Sequence, residues 1–406
     1  MRLAVHLLGP PSVEHDGVAA APPRGKKVWA VLAYLLRAEA PVSRERLASL
    51  LFADADDPLG ALRWNLAELR RLLGDSTQLR GEPLVLTPPA DATVDVDQVL
   101  RGTWRQALSL ETIGQVFLEG LNFPGAAAFE AWLLTERRHL ANASAGVMRE
   151  AVVGRIAAGA AEDAVLVARK LVQIDPLEEA YHALLIRSLA ATGDRASAQE
   201  QFESCRTLLM AELGVRPGPD VLNAVDAPTA SVSMTSVGGR ASARAQLDAG
   251  QAAIAAGVVD AGLECLRRAV AEAEPLRETP LQAQALLALG SSLIHSLRGR
   301  DEEGSIALHQ AIAAGTESGM ASLVAAARRE LGYVEMLRAR YDRAHTWLAE
   351  ALDAAADDVG EQAAIRAVLG ACWSDTAHYP AAMEQLEQAI ALAEESQSHR
   401  QVAFAS

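Results

Sequence analysis

Residues 61–74 read Ala-Leu-Arg-Trp-Asn-Leu-Ala-Glu-Leu-Arg-Arg-Leu-Leu-Gly and carry the clearest helical pattern of the N-terminal region. At about 100° per residue, four of its leucines fall on one stripe, which predicts an amphipathic helix with a buried face. The four are Leu62, Leu66, Leu69 and Leu73. Outside the stripe lie Arg63, Trp64, Ala67, Arg70 and Arg71. Arginines placed there suit a DNA major groove, although a solvated amphipathic helix has the same pattern and Glu68 adds a negative charge.

The elements on either side of this helix are predicted from turns and apolar stripes. Short apolar segments before and after the Asp16-Gly17 dipeptide predict N-terminal strands joined by a hairpin turn. Residues 28–36 carry a helical stripe, and Ser43 is a good N-cap for a second helix. Residues 79–87 (LRGEPLVLT) predict a two-stranded ribbon. The predicted order is therefore strands, three helices and a hairpin.

The remainder of the chain is predicted to form helical repeats. Ala164 and Ala198 occupy matching positions 34 residues apart, which is the tetratricopeptide period. Residues 226–243 are rich in Ser, Thr and Gly and predict a linker. Beyond the linker, dipeptides of alanine followed by valine, isoleucine or leucine recur every 38 to 42 residues. This period predicts helix pairs stacked into a solenoid. The four dipeptides begin at Ala269, Ala311, Ala351 and Ala389. The sequence ends at Ser406 within a predicted first helix of a further pair, which indicates an incomplete array.

Composition favours a helix-rich protein and places basic charge locally. The 406 residues are 50% hydrophobic but only 4% aromatic, with alanine and leucine dominant. The net charge of −15 argues at first against a nucleic-acid partner. Residues 24–46 nevertheless hold six basic and two acidic side chains, and residues 61–80 hold four basic and two acidic ones. The electrostatic support for DNA binding is therefore local and modest.

Sequence motifs for catalysis, metal binding and membrane insertion are absent. The three cysteines lie far apart, which excludes a disulfide framework and a zinc knuckle. No P-loop, G-x-S-x-G or HExxH motif occurs, and no apolar run approaches the ~18 residues of a membrane span. We therefore expect a soluble, cytoplasmic protein that is not an enzyme, with no catalytic residue, no metal, no cofactor and no membrane contact.

Four phrases within residues 1–100 resemble the OmpR-type winged helix and the Streptomyces antibiotic regulatory protein (SARP) group of bacterial regulators. They are Leu3–Pro10, Pro23–Lys27, Val42–Leu47 and Ala61–Gly74. Residues from about 117 to 222 resemble the bacterial transcriptional activator domain of that group, most specifically in Glu212-Leu-Gly-Val-Arg-Pro217. The resemblance implies a mainly α fold. Its expected parts are an α+β winged helix (1–100), the activator domain (101–225), the linker (226–243) and tetratricopeptide-like repeats (244–406).

The resemblance also implies roles for individual residues. The recognition helix would present Arg63, Trp64, Ala67, Arg70 and Arg71 to DNA. The DNA backbone would be contacted by Arg24, Lys26, Lys27, Ser43 and Arg44, and Arg80 would lie in the wing. Ala67-Glu68 stands where many relatives have Ser-Arg, which leaves the sequence specificity open.

An acidic turn precedes the recognition helix, at Asp54, Asp56 and Asp57. By resemblance it corresponds to the loop that OmpR-type regulators turn towards RNA polymerase. The alternative is a solvated loop in which Asp57 lies near the start of a helix.

Two functions of different classes fit the sequence. The first is a sequence-specific DNA-binding transcriptional regulator, by resemblance an activator, whose repeats receive a protein or small-molecule partner or a signal. Its partners would be promoter DNA, RNA polymerase and a second copy of the chain as a homodimer. The second is a helical-repeat adaptor whose winged helix no longer binds DNA, which the overall acidity and Glu68 favour. Substituting the arginines of residues 61–74 separates the two, because only the first hypothesis requires them.

Overall fold

The structure, a computed structural model, describes residues 2–38, 40–74, 77–225, 239–297 and 300–396. It contains two compact units, Met1–Val147 (the first unit) and Met148–Ser406 (the second unit). Of the predicted linker (226–243), residues 226–238 lie outside the described residues, and the last four residues belong to a helix. The predicted final helix that ends at Ser406 also lies outside them.

The first unit follows the predicted order of strands, three helices and a hairpin. Its strands are Leu3–His6 (β1), Ser12–His15 (β2), Val18–Ala19 (β3), Gln78–Arg80 (β4), Val85–Thr87 (β5) and Thr93–Val94 (β6). Its helices are Lys26–Arg37 (α1), Arg44–Leu51 (α2), Pro58–Leu73 (α3), Asp95–Arg101 (α4), Trp104–Leu108 (α5) and Ala127–Ala157 (α6), whose last residues enter the second unit. The sequence patterns did not predict β6, α4 or α5.

A four-stranded sheet with the order β3-β2-β1-β6 and a separate β4-β5 hairpin make up the β structure. β1, β2 and β3 pair antiparallel, and β6 pairs with β1 in parallel. The turn between β2 and β3 has positive φ at both Asp16 and Gly17, as the predicted hairpin turn requires. The β4-β5 hairpin is the predicted wing, and a bridge between Val42 and Leu84 attaches it beside the start of α2.

The leucine stripe of α3 lies in the core of the first unit. Leu62, Leu66, Leu69 and Leu73 are each at most 2% exposed, and they belong to one cluster with the buried residues of α1, α2 and β1. Each fully buried leucine contributes roughly 1.5–3 kcal/mol relative to an exposed one. A rotation of α3 that exposed the stripe would therefore be strongly unfavourable, so the opposite face must point to solvent.

The second unit contains the helices of the predicted activator domain. They are α7 (Ala161–Ile174), α8 (Glu179–Ala191), α9 (Arg195–Glu212) and α10 (Pro219–Val225). α8 packs against each of the other three. Ala164 and Ala198 are both buried at the fourth position of their helices, α7 and α9, in agreement with the 34-residue period.

Four helix pairs follow, and they confirm the predicted repeats. They are α11 (Arg240–Ala255) with α12 (Val259–Ala273), α13 (Thr279–Ser296) with α14 (Asp301–Glu317), α15 (Ala321–Leu337) with α16 (Tyr341–Ala354), and α17 (Val359–Asp375) with α18 (Tyr379–Glu395). The alanines used to find the repeats lie in the second helix of each pair and are at most 1% exposed.

Glycines allow the two helices of a repeat to approach closely. A Cβ atom built on Gly332 of α15 would lie 2.8 Å from Cγ of Leu348 in α16. Gly370 has the same relation to Leu386, with a separation of 2.6 Å. Neither position accepts a larger residue without movement of the facing leucine, so these glycines set the helix spacing in the solenoid.

Candidate nucleic-acid interface

The predicted recognition helix, α3, is fixed at both ends by local caps. Asp57 is the N-cap, and its carboxylate accepts a hydrogen bond from the Gly60 amide at 2.8 Å. Pro58 occupies the first turn, where a missing amide proton costs nothing. Gly74 ends the helix with a φ of 73°. The helix therefore starts two residues earlier than the apolar pattern alone predicts, because the Asp-Pro pair caps it.

All five predicted recognition residues lie on the solvent face of α3. They are Arg63, Trp64, Ala67, Arg70 and Arg71, and each is exposed. Arg63 lies 3.5 Å from the Asp57 carboxylate, but both side chains are largely in solvent, so this pair constrains Arg63 little. Arg70 makes no ion pair with any described residue. Arg63 and Arg70 are accordingly available to a ligand.

Arg71 is held in place by Glu68, one turn earlier on the same helix. Its Nε and Nη2 atoms donate to the same Glu68 oxygen at 3.2 and 2.9 Å. The hydrogen bond from Arg71 lowers the pKa of Glu68, and the Arg24 backbone amide adds to this effect. The Glu68 side chain is 14% exposed, compared with 48% for Arg71. Glu68 therefore orients Arg71 instead of presenting a bare negative charge on the outer face.

Trp64 connects α3 to the basic segment before α1. A Cβ atom on Gly25 would lie 3.2 Å from the Trp64 ring, so the ring covers this glycine closely. Arg24 and Lys26 flank Gly25, and both are exposed. The packing of Trp64 thus brings two predicted backbone-contacting residues beside the outer face of α3.

The start of α2 carries Ser43 and Arg44, which were predicted to meet a phosphate. Ser43 is the N-cap, and its hydroxyl accepts a hydrogen bond from the Arg46 amide at 3.2 Å. Glu82, in the turn of the β4-β5 hairpin, accepts hydrogen bonds from the Arg44 amide at 3.2 Å and from the Arg44 guanidinium. These contacts lower the pKa of Glu82, with the amide hydrogen bond as the largest cause. A carboxylate thus occupies the position predicted for a phosphate oxygen.

Sequence reasoning missed Glu82, since 38 residues separate it from Arg44. The hairpin brings the two together through paired backbone hydrogen bonds between Val42 and Leu84, at 3.0 and 2.8 Å. Only the apposition of the hairpin and α2 reveals the contact, and no local motif marks it.

The remaining predicted cations differ in their surroundings. Arg80 ends β4 on the hairpin and is exposed. Lys27 is half-buried; its ammonium lies 3.3 Å from the Asp54 carboxylate and 4.9 Å above the Phe52 ring. Arg80 is therefore open to a ligand, whereas Lys27 already has an acidic partner.

The acidic turn is exposed at all three predicted positions, Asp54, Asp56 and Asp57. Asp57 serves as the cap of α3, as the solvated-loop alternative anticipated. Asp54 pairs with Lys27, which leaves Asp56 as the aspartate of this turn that has no ion pair with a described residue. A contact with RNA polymerase stays a prediction.

The described residues contain neither a membrane-spanning helix nor a cluster of metal ligands. Within the described ranges, no helix is long and apolar enough to cross a membrane. In the same residues, no group of three or more His, Cys, Asp or Glu side chains is arranged to hold a metal ion.

Comparison with known proteins assigns one domain of the chain. The family model of the bacterial transcriptional activator domain matches residues 98–226. No curated protein sequence matches the chain. Among solved structures, a similar chain is EmbR from Mycobacterium tuberculosis, determined in complex with a low-affinity phosphopeptide, with 21% identity and a TM-score of 0.41. That match covers 55% of this chain and 64% of the EmbR chain, so this chain spans slightly less than two thirds of the length of EmbR.

The matched domain completes the organisation that the phrases of residues 1–100 suggested. It follows a small sheet, three helices and a hairpin, and precedes four helix pairs of tetratricopeptide type. The chain therefore has a winged helix, a region that matches the bacterial transcriptional activator domain, and helical repeats, in this order.

Proposed function

We propose that the chain binds promoter DNA through the outer face of α3 and activates transcription there. The orientation of α3 carries the proposal: its leucines are buried, and its arginines therefore face solvent. Arg63 and Arg70 are available to reach guanine edges or phosphates in a major groove, and Arg71 is preoriented by Glu68. Trp64 and Ala67 would add apolar contacts on the same face.

Residues around α3 would hold the DNA backbone. Arg24, Lys26 and Arg80 are exposed on the flanking segment and on the hairpin, and Ser43 and Arg44 lie at the N-terminus of α2. Such contacts release counterions, so binding should depend strongly on salt. With about six phosphate contacts, the affinity is expected to fall roughly 10³-fold between 50 and 200 mM salt.

Activation requires a contact with the transcription machinery. We infer that Asp54 and Asp56 contribute to a contact with RNA polymerase, because both are exposed and neither caps α3. Two copies of the chain would bind a repeated operator, and the repeats of the second unit would receive a protein or small-molecule signal. These events would take place in the cytoplasm, where the promoter is.

A protein-interaction adaptor is the second candidate, and a specific observation favours it. Three of the predicted DNA-contacting cations are paired with carboxylates: Lys27 with Asp54, Arg44 with Glu82, and Arg71 with Glu68. These pairs reduce the positive charge that the winged helix offers to phosphates.

Enrichment of random DNA by the full-length chain, followed by sequencing, tests the proposal. The experiment compares wild type with the triple variant Arg63→Ala, Arg70→Ala, Arg71→Ala, at moderate and high salt. A repeated motif enriched by wild type and lost in the variant supports DNA recognition by α3. Absence of enrichment by a wild-type chain whose circular dichroism shows it folded would favour the adaptor instead.

A further inference from the structure

Charged side chains are buried where the activator domain meets the repeats within the second unit. Glu302, in the first turn of α14, is 3% exposed. Its carboxylate lies 2.8 Å from Nη2 of Arg149 in α6 and 3.8 Å from Nη1 of Arg187 in α8. Both arginines are 7% exposed and lie within the matched activator domain. One glutamate of the repeats thus neutralises two buried cations of the activator domain.

A second contact joins the same two parts. Arg343 in α16 donates to the carboxyl group of Glu150, which follows Arg149 in α6, and both side chains are buried. Arg338, at the end of α15, binds Glu302 at 2.9 Å and so adds a contact to Glu302 from within the repeats. The first turn of α14 and the region between α15 and α16 therefore meet one short stretch of α6.

Buried ion pairs of this kind hold surfaces together without making separation prohibitive. Removing one partner leaves the other charge buried and unpaired, which is strongly unfavourable, but separating the surfaces returns every charge to water. In the part of the chain that the structure describes, the Nε atom of Arg149 and the Oδ1 atom of Asp220 in α10 are buried without a hydrogen-bond partner. Direct hydrogen bonds between protein groups therefore do not satisfy every buried polar atom of this interface.

We propose that Glu302 forms a latch that docks the repeats on the activator domain, with a closed and an open state. In the closed state Glu302 covers Arg149 and Arg187. In the open state these arginines are exposed, and the repeats separate from α6 and α8. A partner that binds the repeats better in one state shifts the balance between the two, which gives the repeats a physical route to the activator domain. The latch does not depend on DNA binding.

Glu302→Gln in the full-length chain is the variant that tests the latch, and Glu303→Gln is its matched control. Both substitutions remove one negative charge at adjacent positions of α14. Glu303 pairs at 2.7 Å with Arg267 and with Arg300, which both belong to the repeats, so its loss should leave docking intact. Glu302→Gln removes the carboxylate that pairs with Arg149, whereas Arg338 keeps Asp301 and Glu335 as partners, so the substitution should open the latch on the side of the activator domain.

Hydrogen exchange monitored by mass spectrometry measures the opening on the segments that contain Arg149, Arg187 and Glu302. In Glu302→Gln, exchange should rise by at least about tenfold on all three segments, compared with wild type and Glu303→Gln. The double variant Arg149→Gln, Glu302→Gln should restore part of the protection, because it also removes a stranded cation. Exchange in Glu302→Gln equal to that in Glu303→Gln would overturn the proposal.

Folding and salt provide independent controls. Circular dichroism at low temperature should be the same for wild type and both variants, and α18, which packs on α17, should keep wild-type exchange. If Glu302→Gln is unfolded, hydrogen exchange of the wild-type chain is compared at 50 and 500 mM salt instead. Faster exchange at 500 mM that is confined to the segments containing Arg149, Arg187 and Glu302 supports the latch. If the variant is unfolded and the exchange of these segments in wild type does not change at high salt, Glu302 only stabilises the fold. That result overturns the latch.

Discussion

Glu82→Gln is expected to strengthen DNA binding, although Glu82 belongs to no predicted contact. In the free protein its carboxylate accepts hydrogen bonds from both the amide and the guanidinium of Arg44. A phosphate at the N-terminus of α2 needs the same donors and must first displace Glu82. Glutamine binds a guanidinium more weakly than a carboxylate does, so Arg44 becomes available.

The size of the effect follows from counting one added phosphate contact. One contact steepens the plot of log affinity against log salt by about 0.9. Over the fourfold change from 50 to 200 mM salt, the affinity of Glu82→Gln should therefore fall by about 3.5-fold more than that of wild type. Glu82→Gln should also bind more tightly than wild type at the lower salt concentration.

Glu45→Gln is the control for the change of net charge. Glu45 follows Arg44 in α2, is exposed and makes no ion pair with a described residue, so its loss adds the same charge nearby without releasing Arg44. The assay is fluorescence anisotropy on the enriched DNA duplex at four salt concentrations. If Glu82→Gln and Glu45→Gln have equal affinities and equal salt slopes, Glu82 does not compete with phosphate and the reasoning fails.

Two further predictions concern stability. Gly332→Ala should destabilise the repeats by about 1–3 kcal/mol, because the added Cβ atom meets Leu348 at 2.8 Å. Gly360→Ala, whose Cβ atom makes only an ordinary contact at 3.6 Å, should stabilise the repeats by up to about 1 kcal/mol. Urea unfolding measures the free energy of unfolding of both variants, and equal effects of the two substitutions would contradict the packing account. Burial raises the pKa of Glu150 to about 7, against the opposing effect of Arg343, so its contribution to stability is present below pH 4.5 and is lost as the pH rises towards 7. Glu150→Gln has no proton to release, so its stability relative to wild type should rise by up to about 3 kcal/mol over this range, and parallel pH profiles would refute the assignment.

Local patterns were sufficient to predict α3 and its exposed residues. The leucine stripe has helical spacing, and burial of that stripe alone decides which residues face solvent. The Ser43 cap and the turn at Asp16-Gly17 were predicted for the same reason, since each depends on a few neighbouring residues. Features of this kind follow from short stretches of sequence.

Contacts between distant residues were beyond sequence reasoning. Glu82 meets Arg44 only because the hairpin lies beside α2, and Glu302 meets Arg149 only because the repeats dock on the activator domain. The sequence also suggested that Glu68 is an unfavourable charge for DNA binding, because sequence alone does not show that Arg71 donates hydrogen bonds to its carboxylate. Charge counts locate basic regions but do not show which cations already have partners.

The affinity of the full-length chain for the enriched duplex and for a scrambled duplex tests DNA recognition by α3 most directly. The triple variant Arg63→Ala, Arg70→Ala, Arg71→Ala is compared with Arg169→Ala, Arg206→Ala, Arg216→Ala, which removes three exposed arginines of the activator domain. We predict that the α3 variant loses its preference for the enriched duplex, at least about fivefold for each base contact removed, while the control variant keeps it. An unchanged preference in the α3 variant would contradict the account.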